Sequence, residues 1–246
     1  PEIFKLSSNI GSAKMALDIG SERQRTYLGH LGLLRRTSIE LPEQATPMIP
    51  RQWREINTMT ISYGHGIAVS PLHLASAVAA TVNGGVLRPA TLIRSKAPET
   101  GGVQVFSADT SDKMRRLLRL VVENGTGRNA AAPGYLVGGK TGTAEKQVNG
   151  GYKRNALISS FVGVFPSTDP RFVVYVMIDE PKGIRESFGY ATGGWTAAPV
   201  VGAVIQRMAP LFGIAPLDES APEIVRALTV NASAGPDVRT RPNATN

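Results

Sequence analysis

Residues 136–178, LVGGKTGTAEKQVNGGYKRNALISSFVGVFPSTDPRFVVYVMI, decide the fold. Three runs within them read as strands: Leu136 to Gln147, Ala156 to Phe165 and Phe172 to Ile178. The second and third are rich in β-branched and aromatic residues, which suit a pleated, half-buried surface. Asn149-Gly150-Gly151 and Pro166 to Pro170 separate the runs with turn chemistry. Connections this short leave no room for a crossover, so the expected sheet is an antiparallel meander.

Helical patterns flank the strands on both sides, which sets the class as α/β of the α+β kind. After a glycine-bearing loop, Lys182 to Gly194, a helix is expected over about Ala197 to Leu211, with Val200, Val201, Val204 and Met208 inward. Before the strands, a helix near Asp109 to Asn124 places Met114, Leu117, Leu118, Val121 and Val122 on its buried face, with Gly125 past its end. Val103 to Phe106 reads as a short strand. Ser70-Pro71 is a helix start, Ser as N-cap and Pro at the first helical position. Leu72, Ala75, Ala79 and Val82 form that helix's apolar stripe, and Gly84-Gly85 ends it. From Leu33 to Val69 the reading is irregular, because Pro42, Pro47 and Pro50 break any long period. At the start, Ile10, Ala13, Ala16 and Leu17 recur at helical spacing up to Gly20. Ser21 then caps a second helix bearing Tyr27, Leu28 and Leu31. Beyond Asp218 the composition turns to Ala, Pro, Ser, Thr and Asn, the signature of a flexible tail.

Composition narrows the function. The chain has 246 residues, 42% hydrophobic and 19% charged, enough for a full core in one large or two small domains. It has no Cys, which removes disulfides, thiolate nucleophiles and sulfur-ligated metals together. No apolar run reaches the roughly 18 residues of a membrane span. The chain begins at Pro1 inside an apparently structured stretch, and is read as the C-terminal part of something longer. The net charge of +8 comes from scattered basic groups such as Arg23/Arg25, Arg35/Arg36, Arg51/Arg54 and Lys153/Arg154, without aromatic or zinc-finger spacing. That favours solvated faces, or a surface toward an anionic polymer or acidic lipid, over nucleic acid. His30, His65 and His73 show no metal-ligand spacing, so no metal and no cofactor is expected. Asp179-Glu180 is not expected to act as an acid pair, since adjacent strand residues face opposite ways.

Two motifs remain that packing does not account for. Lys140-Thr141-Gly142-Thr143, after Gly138-Gly139, lies on the first expected strand. Ser7-Ser8-Asn9 stands just before the first expected helix, where Ser and Asn are also ordinary caps. Alone, neither decides; together they match the second and third motifs of the active-site serine enzymes that react with β-lactams. With Gly64-His65-Gly66-Ile67 running into Ser70-Pro71-Leu72, and Ala191-Thr192-Gly193-Gly194 before Ala198-Pro199-Val200, the chain resembles the C-terminal part of the transpeptidase domain of a class B penicillin-binding protein, division type. The resemblance covers about Pro1 to Gly213, leaving 214–246 as linker and tail.

The resemblance implies the penicillin-recognising fold, an antiparallel sheet flanked by helices, here without its N-terminal strands. It implies a peptidoglycan D,D-transpeptidase that cross-links stem peptides ending in D-Ala-D-Ala through a serine acyl-enzyme and is inhibited by β-lactams. Ser7 would pass a proton to the leaving amine, Asn9 would bond the substrate amide, and Lys140 would supply positive charge near Ser7 and the substrate carboxylate. Thr141 and Thr143 would offer hydroxyls to that carboxylate, Gly142 would let substrate lie against the strand, and the Thr143 N–H would be one of two oxyanion donors. Tyr190 to Trp195 would border the groove. One departure matters: no Ser in the chain is followed three residues later by Lys, so the motif carrying the acylated serine and its lysine is absent from it. It is expected upstream of Pro1, with a membrane anchor further back that places the domain at the periplasmic face of a bacterial inner membrane. The expected partners are the stem peptides, β-lactams, the upstream segment and divisome proteins. The alternatives are a serine β-lactamase or D,D-carboxypeptidase, and a non-catalytic cell-wall or divisome binding module.

Overall fold

The computed structural model describes residues 1–94, 101–148 and 151–230. The N-terminal half is helical. A single turn, α1 (Glu2–Lys5), leads into α2 (Asn9–Ile19), capped by the Ser8 hydroxyl, which accepts from the Gly11 amide. Only Ala16 of the α2 stripe is buried; Ile10 and Leu17 are exposed. Gly20, at φ 86°, ends α2 and itself precedes α3 (Ser21–His30). Ser21 is therefore the first helical residue rather than the cap, and its hydroxyl instead accepts from Thr58 at 2.6 Å.

Thr58 belongs to α4 (Glu55–Ser62), a helix inside the stretch expected to be irregular. The prolines do end before it, but eight residues with only Thr58 and Ile61 buried carry too little periodicity to read. Next, α5 (Pro71–Val82) starts at its Ser70 cap as expected. Its inward face is turned from the expected stripe: His73, Ala77, Ala80 and Val82 are buried, while Leu72, Ala75 and Ala79 are half-buried. The imidazole goes inward because both its nitrogens find partners, the Ser70 hydroxyl at 2.7 Å and the Arg35 carbonyl at 2.8 Å. Val103 to Phe106 is reduced to β2 (Val103–Gln104), paired antiparallel with β1 (Val86–Leu87).

The second half holds the sheet. α6 (Ala108–Asn124), capped by Ser107, buries Leu118, Val121 and Val122, with Met114 and Leu117 half-buried. The three long strands are β3 (Gly138–Val148), β4 (Gly151–Phe165) and β5 (Phe172–Asp179), in antiparallel order β3-β4-β5. Lys140 faces Val162, and Val162 faces Tyr175. The expected turn at Asn149-Gly150 lies outside the described residues. From Phe161 to Phe165 both faces of β4 are buried, as a central strand between helical layers requires. Phe161 and Phe165 pack with α7 (Ala197–Leu211), whereas Val164 packs with Val82 of α5 and Leu118 of α6.

The inward face of α7 differs from the expected one. Ala197, Val201, Ile205 and Ala209 are buried, Met208 is half-buried, and Val200 and Val204 are exposed. Val201 and Ile205 face β4 at Gly163, where a Cβ would come 2.5 Å from the Val201 side chain and 3.8 Å from that of Ile205. Past Asp218, the stretch expected to be flexible instead forms α8 (Pro222–Leu228), with Leu228 buried. The tail beyond residue 230 lies outside the described residues. What ties this segment down is Arg119, a buried cation missed in the sequence. Arg119 bonds Glu219 at 2.6 Å, Glu123 at 2.8 Å and the Val137 carbonyl at 3.1 Å. No helix of the described residues is long and apolar enough to cross a membrane.

Candidate active site

The tandem serines separate into two jobs. Ser8 has ordinary extended backbone and caps α2. Ser7 sits between α1 and α2 at φ 56°, in the left-handed region that a residue with a Cβ disfavours. Such strain persists only where surrounding structure enforces it, and it clusters at functional sites. The exposed Ser7 hydroxyl accepts a hydrogen bond from Lys140 Nζ at 2.7 Å, across 133 residues of sequence.

Lys140 is the third residue of β3, and the sheet fixes its direction. Its Nζ also donates to the Thr141 carbonyl at 3.1 Å and the Thr141 hydroxyl at 3.3 Å. Those partners are neutral oxygens, so nothing offsets the loss of water around the ammonium. Burial accordingly lowers its pKa from 10.5 to about 8. The Thr141 hydroxyl is paired in turn with the Thr126 hydroxyl at 2.9 Å, on the turn that follows α6. Nothing in the sequence singled out Thr126, because a Gly-Thr-Gly turn after a helix looks like punctuation.

The next residues of β3 are held by the loop after β5. The Thr143 hydroxyl accepts from the Gly193 amide at 3.0 Å, and the Ser159 hydroxyl donates to the Ala191 carbonyl at 2.6 Å. The loop lies flush on the sheet: a Cβ on Gly193 would meet the Ser160 and Gly142 carbonyl oxygens at 2.2 and 2.5 Å. Gly142 has a packing reason of its own, since a Cβ there would come 2.6 Å from the Ser160 hydroxyl. Above this contact Tyr190 stacks on Trp195 at 5.9 Å, and Phe188 meets the same ring edge-on at 5.5 Å. Phe188 and Tyr190 are exposed, giving an aromatic wall carried by the loop that holds Thr143.

The sequence-nominated residues therefore meet in part. Ser7, Lys140 and Thr141 belong to one bonded neighbourhood, and Thr143, two residues further along β3, is bonded instead to Gly193. Asn9 is exposed at the first position of α2, and none of the Lys140 bonds reaches it. Elsewhere, Lys146 reaches both Asp179 at 2.7 Å and Glu180 at 3.3 Å. Adjacent strand residues were expected to diverge; Glu180 has left the strand at φ 49°, which swings it to the same side. Arranged this way, the site can hold a cation near a hydroxyl and draw a carboxylate toward β3. A hydroxyl between an ammonium and solvent can also relay a proton.

Known proteins resemble the chain over most of its length. The penicillin binding protein transpeptidase domain family matches residues 1–206. The chain is 43% identical over 224 residues to a probable peptidoglycan D,D-transpeptidase FtsI of Caulobacter vibrioides, covering 87% of this chain and 38% of that protein. It is 36% identical to stage V sporulation protein D of Bacillus subtilis, covering 87% of this chain and 34% of the relative. Among solved structures, the apo transpeptidase domain of Burkholderia pseudomallei penicillin-binding protein 3 superposes with a TM-score of 0.78 at 37% identity, covering 87% of this chain and 64% of that one. Penicillin-binding protein 3 of Mycobacterium tuberculosis, complexed with ampicillin, gives 0.80 at 26% identity, covering 90% of this chain and 53% of that one. The chain thus spans little more than a third of the length of these two curated relatives.

Proposed function

Because the chain belongs to the family of penicillin-binding-protein transpeptidase domains, we propose that it carries the proton-relay and carboxylate-binding half of a peptidoglycan D,D-transpeptidase active site. The observation that carries this reading is the 2.7 Å bond between Lys140 and Ser7, two residues from distant motifs. In the proposed cycle a serine attacks the carbonyl between two terminal D-alanines, and Ser7 hands a proton to the departing amine. Lys140 donates to Ser7 and so polarises it; its positive charge also attracts the terminal carboxylate of the stem peptide. The Thr141 and Thr143 hydroxyls complete that carboxylate's bonds, the Thr143 N–H serves the oxyanion, and Asn9 holds the substrate amide.

The attacking serine and its lysine belong, on this reading, to a segment outside these 246 residues, since the chain has no Ser-x-x-Lys. β-Lactams enter as mimics of the same acyl donor, a reading supported by the ampicillin complex of the Mycobacterium tuberculosis relative. The similarity to an FtsI-type protein supports a role in septal wall synthesis at the periplasmic face of an inner membrane. The test is acylation of the complete protein by a fluorescent penicillin. Lys140→Ala and Ser7→Ala should each slow labelling by about a hundredfold or more, the scale set by removing one preorganised catalytic group. Full-rate labelling in both variants would refute the assignment.

A further inference from the structure

Lys140 takes its direction from β3, and the start of β3 is held by residues from the far end of the chain. Arg119 of α6 is buried, and its guanidinium engages three acceptors. Nη1 donates to the Val137 carbonyl at 3.1 Å, Nη2 to Glu219 at 2.6 Å and Nε to Glu123 at 2.8 Å. Val137 is itself fully buried, one residue before β3 and three before Lys140. Glu219 uses its second oxygen to accept from the Gly134 amide at 3.0 Å. The Gly134 carbonyl accepts in turn from the Leu217 amide at 2.8 Å. Gly134 lies at φ 81°, and a Cβ on it would come 2.8 Å from Pro216. Residues 216–219 thus close over the turn that feeds β3.

A guanidinium holds its donors in one fixed plane, so it sets the mutual direction of its acceptors where an apolar side chain only fills space. The strand start it directs is closely packed. The Leu136 carbonyl accepts from the Ser167 amide at 2.7 Å, and a Cβ on Gly138 would come 3.1 Å from the Arg119 amide nitrogen. Three strand residues span only about 10 Å, so a tilt at Val137 carries Lys140 with it. The Lys140–Ser7 bond has little slack at 2.7 Å, since an N–H···O contact beyond about 3.5 Å is no longer a hydrogen bond. A shift of about 1 Å at the ammonium therefore parts the pair.

We infer that Arg119 and Glu219 are positioning residues for Lys140. The segment after α7, through Glu219, aims the guanidinium that fixes the start of β3, and so sets the geometry between Lys140 and Ser7. The inference rests on the transpeptidase reading of that pair. Its test is fluorescent-penicillin acylation of the complete protein, which reads the fraction finally labelled and the rate constant separately. Misfolding lowers the fraction, whereas misplacing Lys140 lowers the rate constant. Hydrogen exchange of the Gly138 to Thr141 amides, in the complete protein without penicillin, reads the strand start independently of any chemistry.

Glu219→Ala alone leaves the buried guanidinium short of a partner and should lower the melting temperature as well as the rate. Adding Arg119→Met removes that charge, and an apolar side chain in place of a buried ion pair should restore the melting temperature. The double variant should then label to the full extent but about tenfold to a hundredfold more slowly, the scale of a misplaced reacting group. Its Gly138 to Thr141 amides should exchange faster than in the wild type. Ser107→Ala uncaps α6 at its other end and should lower the melting temperature without slowing the reaction. A double variant that reacts at the wild-type rate, or a Ser107→Ala form slowed as much as it, would overturn the inference. Unchanged exchange at Gly138 to Thr141 would overturn it too. If the wild-type complete protein takes no label, the transpeptidase reading fails instead, and the exchange result alone decides whether Arg119 and Glu219 position β3.

Discussion

At the residue scale, Ser8 serves stability by capping α2, whereas on the proposed reading Ser7 and Lys140 serve the chemistry. Ser8→Ala removes a helix cap and should destabilise the fold by about 1 kcal/mol. Ser7→Gly should do the opposite, because glycine accepts the left-handed conformation that serine occupies under strain. Chemical denaturation should therefore show Ser7→Gly as stable as the wild type or more so, while penicillin acylation of the complete protein collapses. Lys140 gives a pH signature. Its proton leaves near 8 in the fold, against 10.5 for an ordinary lysine, so between those values the unfolded chain holds more protons. Stability contributed through this group therefore rises with pH across that window. Lys140→Met removes it: the variant should be the more stable near about pH 7, and the wild type should close the gap toward about pH 10. Acylation should run the other way, falling as pH rises through about 8 and the cation is lost.

At the element scale, glycines mark where helix and loop press on the sheet. Gly163→Ala would drive a methyl into Val201 of α7 and should destabilise by about 1–3 kcal/mol through overpacking. Gly193→Ala would meet backbone oxygens of both β3 and β4, which cannot rotate away. It should lift the aromatic loop from Thr143 and slow acylation more than Gly163→Ala does, a comparison that labelling kinetics and melting curves make together. The meander and α7 were legible because alternating or continuous apolar runs were bounded by clear turn residues. The inward faces were less so: at α7 burial went to Ala197, Val201, Ile205 and Ala209 while Val200 and Val204 are exposed, and the glycine that lets Val201 approach, Gly163, lies on another element. Likewise α4 was too short to show a period, and Arg119 was invisible because its three acceptors come from different parts of the chain.

At the scale of the whole molecule, the sheet and the site raise the same question. Among the described residues β5 pairs only with β4, leaving eight residues of strand with an unpaired edge. Such an edge is a template for another strand. On the proposed reading that strand comes from the segment that brings the acylated serine, so β5 amides directed away from β4 should exchange quickly in the 246-residue chain and be protected in the complete protein. The Lys-Thr-Gly and Ser-x-Asn motifs took their chemical reading from the family resemblance, and their meeting at 2.7 Å is a property of the tertiary fold. The most direct test is to acylate the complete protein with a penicillin and locate the modified residue by peptide mass spectrometry. The account predicts a serine outside these 246 residues, in a Ser-x-x-Lys sequence, with no label on the 246-residue chain alone. Label on Ser7, or on any other serine of this chain, would contradict it.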